Sequence, residues 1–144
     1  MSIPPVSWRL HQSDPDRFAR DLGASFERYG FAVIQDHPVP QAVIDDALAD
    51  TRAFFALPLE QKLRHRPEHG RGQRGYTPFG VETAKGAEHF DLKEFWHVGR
   101  DLPAGHRFAE HMPANVWPDA EAPGFRAHLT ALYAALDQMG AAVL

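Results

Sequence analysis

The sequence predicts an α+β domain, rich in helix and poor in strand. Three observations carry this. Apolar residues recur at three- and four-residue spacing at Phe18, Leu22, Phe26 and Tyr29, and again from Phe125 to Met139. Strand-like runs number about three and are short. Twelve prolines divide the 144 residues into brief elements.

The first helix starts at Ser13-Asp14-Pro15. Asp14, or Ser13, supplies a capping oxygen, and Pro15 suits the first helical position. Gly30 follows as a left-handed C-cap. Residues 31–35 then read as a buried strand, which Asp36, His37 and Pro38 break. A second helix is expected from about residue 40 to 56. Its apolar stripe is Val43, Ile44, Ala47, Leu48, Thr51, Phe54 and Phe55. Pro58 stops it, and Leu59 to Leu63 add a further turn.

Between residues 62 and 74, Lys62, Arg64, Arg66, Arg71 and Arg74 stand against Glu68 alone. Pro67, Gly70, Gly72 and Gly75 interrupt any helix, so a mobile basic loop is expected. Tyr76 to Phe79 reads as a short edge strand because of Pro78, and Thr83 to Gly86 as a turn. His89 to Gly99 gives the clearest strand. Phe90, Leu92, Glu94, Trp96 and Val98 share one face, expected to pack on a core. His89, Asp91, Lys93, Phe95 and His97 share the other. Residues 103–118 read as loop. Pro123 opens a third long helix, carrying Phe125, Leu129, Leu132, Tyr133, Leu136 and Met139 on one face. Gly140 is its only brake, and the apolar end at Leu144 reads as that of a chain cut short.

Composition removes several function classes. A net charge of −4 and a pI of about 6.1 argue against nucleic acid as partner. The absence of cysteine excludes disulfides, thiolate metal sites and a cysteine nucleophile. The N-terminus lacks the basic start and apolar run of a secretory signal. No run approaches the roughly 18 apolar residues of a membrane helix. The expectation is a soluble, cytoplasmic protein.

Nine histidines raise the question of metal. His89 and Asp91, two apart on a strand, point the same way and could begin a two-histidine, one-carboxylate iron site. His97 lies roughly 26 Å along an extended strand, which leaves His106, His111 or His128 to complete it. The plainer reading, and the favoured one, pairs Asp91 with Lys93 or an arginine. His65 and His69 have a helical zinc spacing, but Pro67 between them makes solvated loop histidines the better reading. The basic loop could attract an anionic substrate, although a solvated face is the commoner meaning. Glu94 falls on the apolar face, which calls for a structural ion pair. Phe54, Phe55, Trp96 and Trp117 are core candidates. Phosphate-loop, dinucleotide and nucleophile-elbow motifs are absent.

Several segments, taken in order, resemble the isopenicillin N synthase-like 2-oxoglutarate/Fe(II)-dependent dioxygenases. Tyr29-Gly30-Phe31 with Asp36-His37 resembles their "GFF…NHG" segment. Phe54 to Pro58 with Gln61 and Lys62 resembles "FF-x-LP-x-E-x-K". Arg74-Gly75-Tyr76 resembles the "GY" that follows. Asp91 to Glu94 resembles "D-x-K-E", and Trp117-Pro118 with Phe125-Arg126 resembles "WP…FR".

The resemblance covers the family's N-terminal half. It implies that residues 1–144 are the helix-rich region that packs on a double-stranded β-helix, or jelly roll, missing here. The family's His-x-Asp…His iron site and its Arg-x-Ser grip on 2-oxoglutarate lie in that core. His89 and Asp91 fall before it. The complete enzyme would use Fe(II) and 2-oxoglutarate to oxidise a small-molecule substrate, while this chain alone would bind neither and hold no catalytic or metal-ligating residue. By position, Tyr76, Phe95 and His97 would line the substrate mouth. The rival expectations are a small metalloprotein using His89 and Asp91, and a non-catalytic binding or oligomerisation module whose exposed apolar faces meet a partner, a second copy of the chain being one such partner.

Overall fold

The computed structural model describes residues 2–68, 72–83, 85–86 and 88–144. The order is β1 (Val6–Ser7), α1 (Arg9–Ser13), α2 (Pro15–Tyr29), β2 (Ile34–Gln35), α3 (Gln41–Phe55), α4 (Leu59–Leu63), β3 (Gly75–Thr77), β4 (Phe95–His97) and α5 (Phe125–Val143). The chain divides into two compact units. One comprises Met1–Ile44 and Ala131–Leu144, the other Asp45–Thr130. Among the described residues no helix is long and apolar enough to cross a membrane.

In the first unit, α2 begins as its residues dictate. The Asp14 carboxylate accepts the Arg17 N–H at 3.0 Å, and Pro15 occupies the first turn. Gly30, at φ +79, closes the helix and donates its N–H to Phe26 O. Phe18, Leu22, Ser25 and Tyr29 form the buried side, whereas Phe26 is exposed. The expected stripe therefore turns by one position: Ser25 lies on the 3.6-residue line from Phe18, and Phe26 lies a further 100° round. The Ser25 hydroxyl is satisfied by donating to Phe31 O at 3.1 Å.

β1 pairs in parallel with β2, Val6 opposite Ile34. The expected strand over 31–35 is thus cut to its last two residues, and Phe31 and Val33 are exposed. The partner limits it: Pro4 and Pro5 precede Val6 and have no N–H to extend the ladder. Asp36 ends β2 at φ +56, where its carboxylate accepts from the Ser7 hydroxyl at 2.7 Å. Helix α1, not anticipated, carries His11 onto the Trp8 ring, with centroids 4.8 Å apart.

The second unit is an aromatic core. Phe54, Tyr76, Ala122 and Phe125 are buried together, with Phe55, Leu57, Trp96, Trp117 and Leu129 against them. Phe54 meets Trp96, Phe125 and Tyr76 at centroid distances of 4.7, 5.4 and 5.9 Å. Such pairs contribute about 0.5–1.5 kcal/mol each beyond the area they bury. β3 and β4 form an antiparallel ribbon with Tyr76 opposite Trp96.

The strand expected over 89–99 shrinks to Phe95–His97. Pro78 follows Thr77 and has no donor for a longer partner. Upstream, the Asp91 N–H is taken by Glu82 O at 2.8 Å. Phe90 and Leu92, expected in the core, are consequently exposed, Leu92 at 94%. Helix α5 begins at Phe125, two residues after Pro123, and passes through Gly140 to Val143.

Candidate functional site

The ribbon β3–β4 has two faces of different character. Tyr76 and Trp96 point into the core. Thr77 stands opposite Phe95, and Gly75 opposite His97, on the other side. The three residues expected at a substrate mouth are therefore divided. Phe95 and His97 share the outer face, and Tyr76 lies behind them in the core. Two separate runs could not show this, because their mutual register depends on the pairing.

On the core side, Glu94 anchors the ribbon. Lys62 Nζ donates to its Oε2 at 2.8 Å and its Oε1 at 3.0 Å, and to Phe55 O at 3.2 Å. The Tyr76 hydroxyl donates to Glu94 Oε2. Lys62 is 7% exposed. It was expected in a mobile basic loop, but α4 lifts it out of that segment and turns it inward. Burial alone would raise the Glu94 carboxyl. The hydrogen bonds from Lys62 and Tyr76, with the Lys62 charge, outweigh it and hold the group below its ordinary 4.5. Burial, then the Glu94 carboxylate, pushes the Tyr76 phenol far above its ordinary value. The expected ion pair of Glu94 is thus present and needs no catalytic role.

On the outer face, Phe95 lies between two groups. The His97 ring is 4.6 Å from its centroid and Lys93 Nζ is 5.4 Å away. His97 Nδ1 donates to Gly72 O at 2.7 Å, which places the proton on that nitrogen. Lys93 also bridges Glu82 at 2.8 Å and Asp91 at 3.2 Å, and these hydrogen bonds raise its ammonium above its ordinary value. Beside Thr77 lies a hollow of about 330 Å³, lined among others by Arg66, Glu68, Gly72, Val81 and Glu82.

Asp91 pairs with Lys93, as its plainer reading expected. His89 lies in a bend instead of a strand. His65, expected in solvent, is largely buried against Phe54 and 3.0 Å from Glu121. Its fold-back after α4 explains the difference, since His65 O accepts the Tyr76 N–H. His69, its expected partner, and Arg71 lie outside the described residues. His128 is 2.7 Å from Asp50, and His106 Nδ1 accepts the Phe108 N–H at 3.3 Å. Among the described residues no three histidine, aspartate or glutamate side chains gather as a metal site would require. The described residues do not fit an iron centre.

Comparison with known proteins fits this anatomy. Residues 3–120 match the family model for the non-haem dioxygenase in morphine synthesis N-terminal region. The chain is 32% identical to the 2-oxoglutarate-dependent dioxygenase frbA of Dothideomycetidae sp. (strain 11243), over 92% of this chain and 42% of that protein. It is 36% identical to the proline hydroxylase buaE of Petromyces alliaceus, over 82% and 37% respectively.

Among solved structures, a 2OG-Fe(II) oxygenase family protein from Caulobacter crescentus matches with a TM-score of 0.85 and 59% identity. The match covers 99% of this chain and 46% of that one. A Neurospora crassa protein solved with alpha-KG shares the fold at a TM-score of 0.76 and 22% identity, over 98% and 44%. The chain belongs to the non-haem dioxygenase N-terminal family. It spans less than half the length of these curated relatives.

Proposed function

We propose that this chain is the N-terminal part of a non-haem Fe(II)/2-oxoglutarate-dependent oxygenase acting on a small molecule. The family match over residues 3–120 carries this reading. Iron and 2-oxoglutarate would supply the oxidising chemistry on residues of a jelly-roll core that this chain does not contain. The chain contributes a platform. Its aromatic core and the Lys62–Glu94–Tyr76 network hold β4 rigid. Phe95 and His97 then line the substrate mouth from the outer face, with Tyr76 as the support behind them. Such placement on a fixed ribbon suits binding, because little order remains to be gained when substrate arrives.

The test is a chimera in which this chain replaces the matching part of the Caulobacter crescentus relative. Where that relative converts 2-oxoglutarate to succinate with Fe(II), the chimera should do so too, and the 144-residue chain alone should not. A folded but inert chimera beside an active relative, or turnover by the chain alone, would overturn the reading.

A further inference from the structure

We infer that the hollow beside β3 binds a small zwitterion, a molecule of amino-acid size that carries one carboxylate and one ammonium. The space, about 330 Å³, lies at the small end of ligand pockets. Three observations point to this ligand.

The first is Thr77. The residue is 3% exposed and lines the hollow, and its Oγ1 is buried without a hydrogen-bond partner among the described residues. A buried hydroxyl left unpaired is costly, so a partner in the hollow accounts for it. The second is Gly72, at φ +73. A Cβ there would stand 3.0 Å from Thr77 Oγ1, so glycine keeps the approach to the hydroxyl clear. His97 steadies this glycine through the 2.7 Å bond to its carbonyl.

The third is charge. Arg66 and Glu68 line the same hollow, and neither has an ion partner among the described residues. Glu82 differs, because Lys93 holds it at 2.8 Å. A simple anion would meet Glu68 as well as Arg66, and a simple cation would meet Arg66. A zwitterion matches both free charges: its carboxylate faces Arg66 and the Thr77 hydroxyl, and its ammonium faces Glu68. Val81 and Pro67 provide apolar wall for a side chain.

This rests on the proposed function only in taking the bound molecule as substrate, because every named residue of the hollow belongs to this chain. The test is calorimetric titration of the chain with free L-amino acids, with sodium acetate and ethylammonium chloride as single-charge controls. At least one amino acid should bind while neither control does. Thr77→Val, which keeps the side-chain shape, and Arg66→Gln, on an exposed side chain, should each weaken binding about tenfold. Gly72→Ala should weaken it by at least as much. Circular dichroism verifies that the variants fold. Acetate binding as well as the amino acids would overturn the assignment. So would the absence of amino-acid binding at millimolar concentration, or unchanged affinity in both Thr77→Val and Arg66→Gln. Failure of the proposed function reads differently: the chimera would then make no succinate, whatever the chain binds.

Discussion

Replacing Glu94 by leucine tests the ribbon's anchor. The change removes the acceptor of two groups at once, the Lys62 ammonium and the Tyr76 hydroxyl. Among the described residues Lys62 would keep one hydrogen-bond acceptor, Phe55 O at 3.2 Å, and its charge would remain buried. Stranding one member of a buried pair costs about 3–5 kcal/mol, a large share of the roughly 5–15 kcal/mol that holds an ordinary domain together. Removing both charges, as Lys62→Met with Glu94→Leu, should recover most of that loss. The remaining deficit is the orphaned Tyr76 hydroxyl, about 1–3 kcal/mol.

Urea unfolding of the parent, both single variants and the double gives the coupling energy directly. The reasoning fails if Glu94→Leu costs no more than a surface change, about 0.5 kcal/mol, or if the double variant loses the sum of the two singles. The pH dependence has a definite sign. Because the folded Glu94 carboxyl lies below 4.5, the unfolded chain binds the extra proton. The stability from this group is complete above pH 4.5 and is lost as pH falls through the folded value. Glu94→Leu should flatten that acid limb.

Two further substitutions read the backbone. Gly75 sits at φ +69, and a Cβ there would lie 2.6 Å from His65 O, so Gly75→Ala should cost more than about 2 kcal/mol. At Gly99 the nearest atoms to a Cβ belong to the far end of the Arg74 side chain, which can shift more cheaply than backbone, so Gly99→Ala should cost less than Gly75→Ala, both measured by urea unfolding. Asp14→Ala removes the cap of α2 and should lower stability by about 1 kcal/mol, seen as a reduced thermal midpoint.

Apart from α1, the helices were legible in the sequence because their signals are local. Asp14 and Pro15 start α2, Gly30 ends it, and Pro58 separates α3 from α4. The strands were less legible because each is as long as its partner allows. Pro5 and Pro78 set those limits from residues distant in sequence, so the run from His89 promised eleven strand residues and yields three. Glu94 announced a buried partner by its place on an apolar face. Its identity, Lys62, was hidden in a run of positive charge 32 residues earlier. Thr77 carried no pattern at all, since its significance lies in a missing hydrogen bond that only packing reveals.

The most direct check on the central claim is iron content after anaerobic loading with Fe(II) and 2-oxoglutarate, for this chain and for His89→Ala. If the chain is the platform of an oxygenase whose iron ligands lie elsewhere, neither protein should retain iron after desalting. Retention of about one equivalent by the parent, lost in His89→Ala, would place a His-x-Asp metal site within these residues and contradict the account.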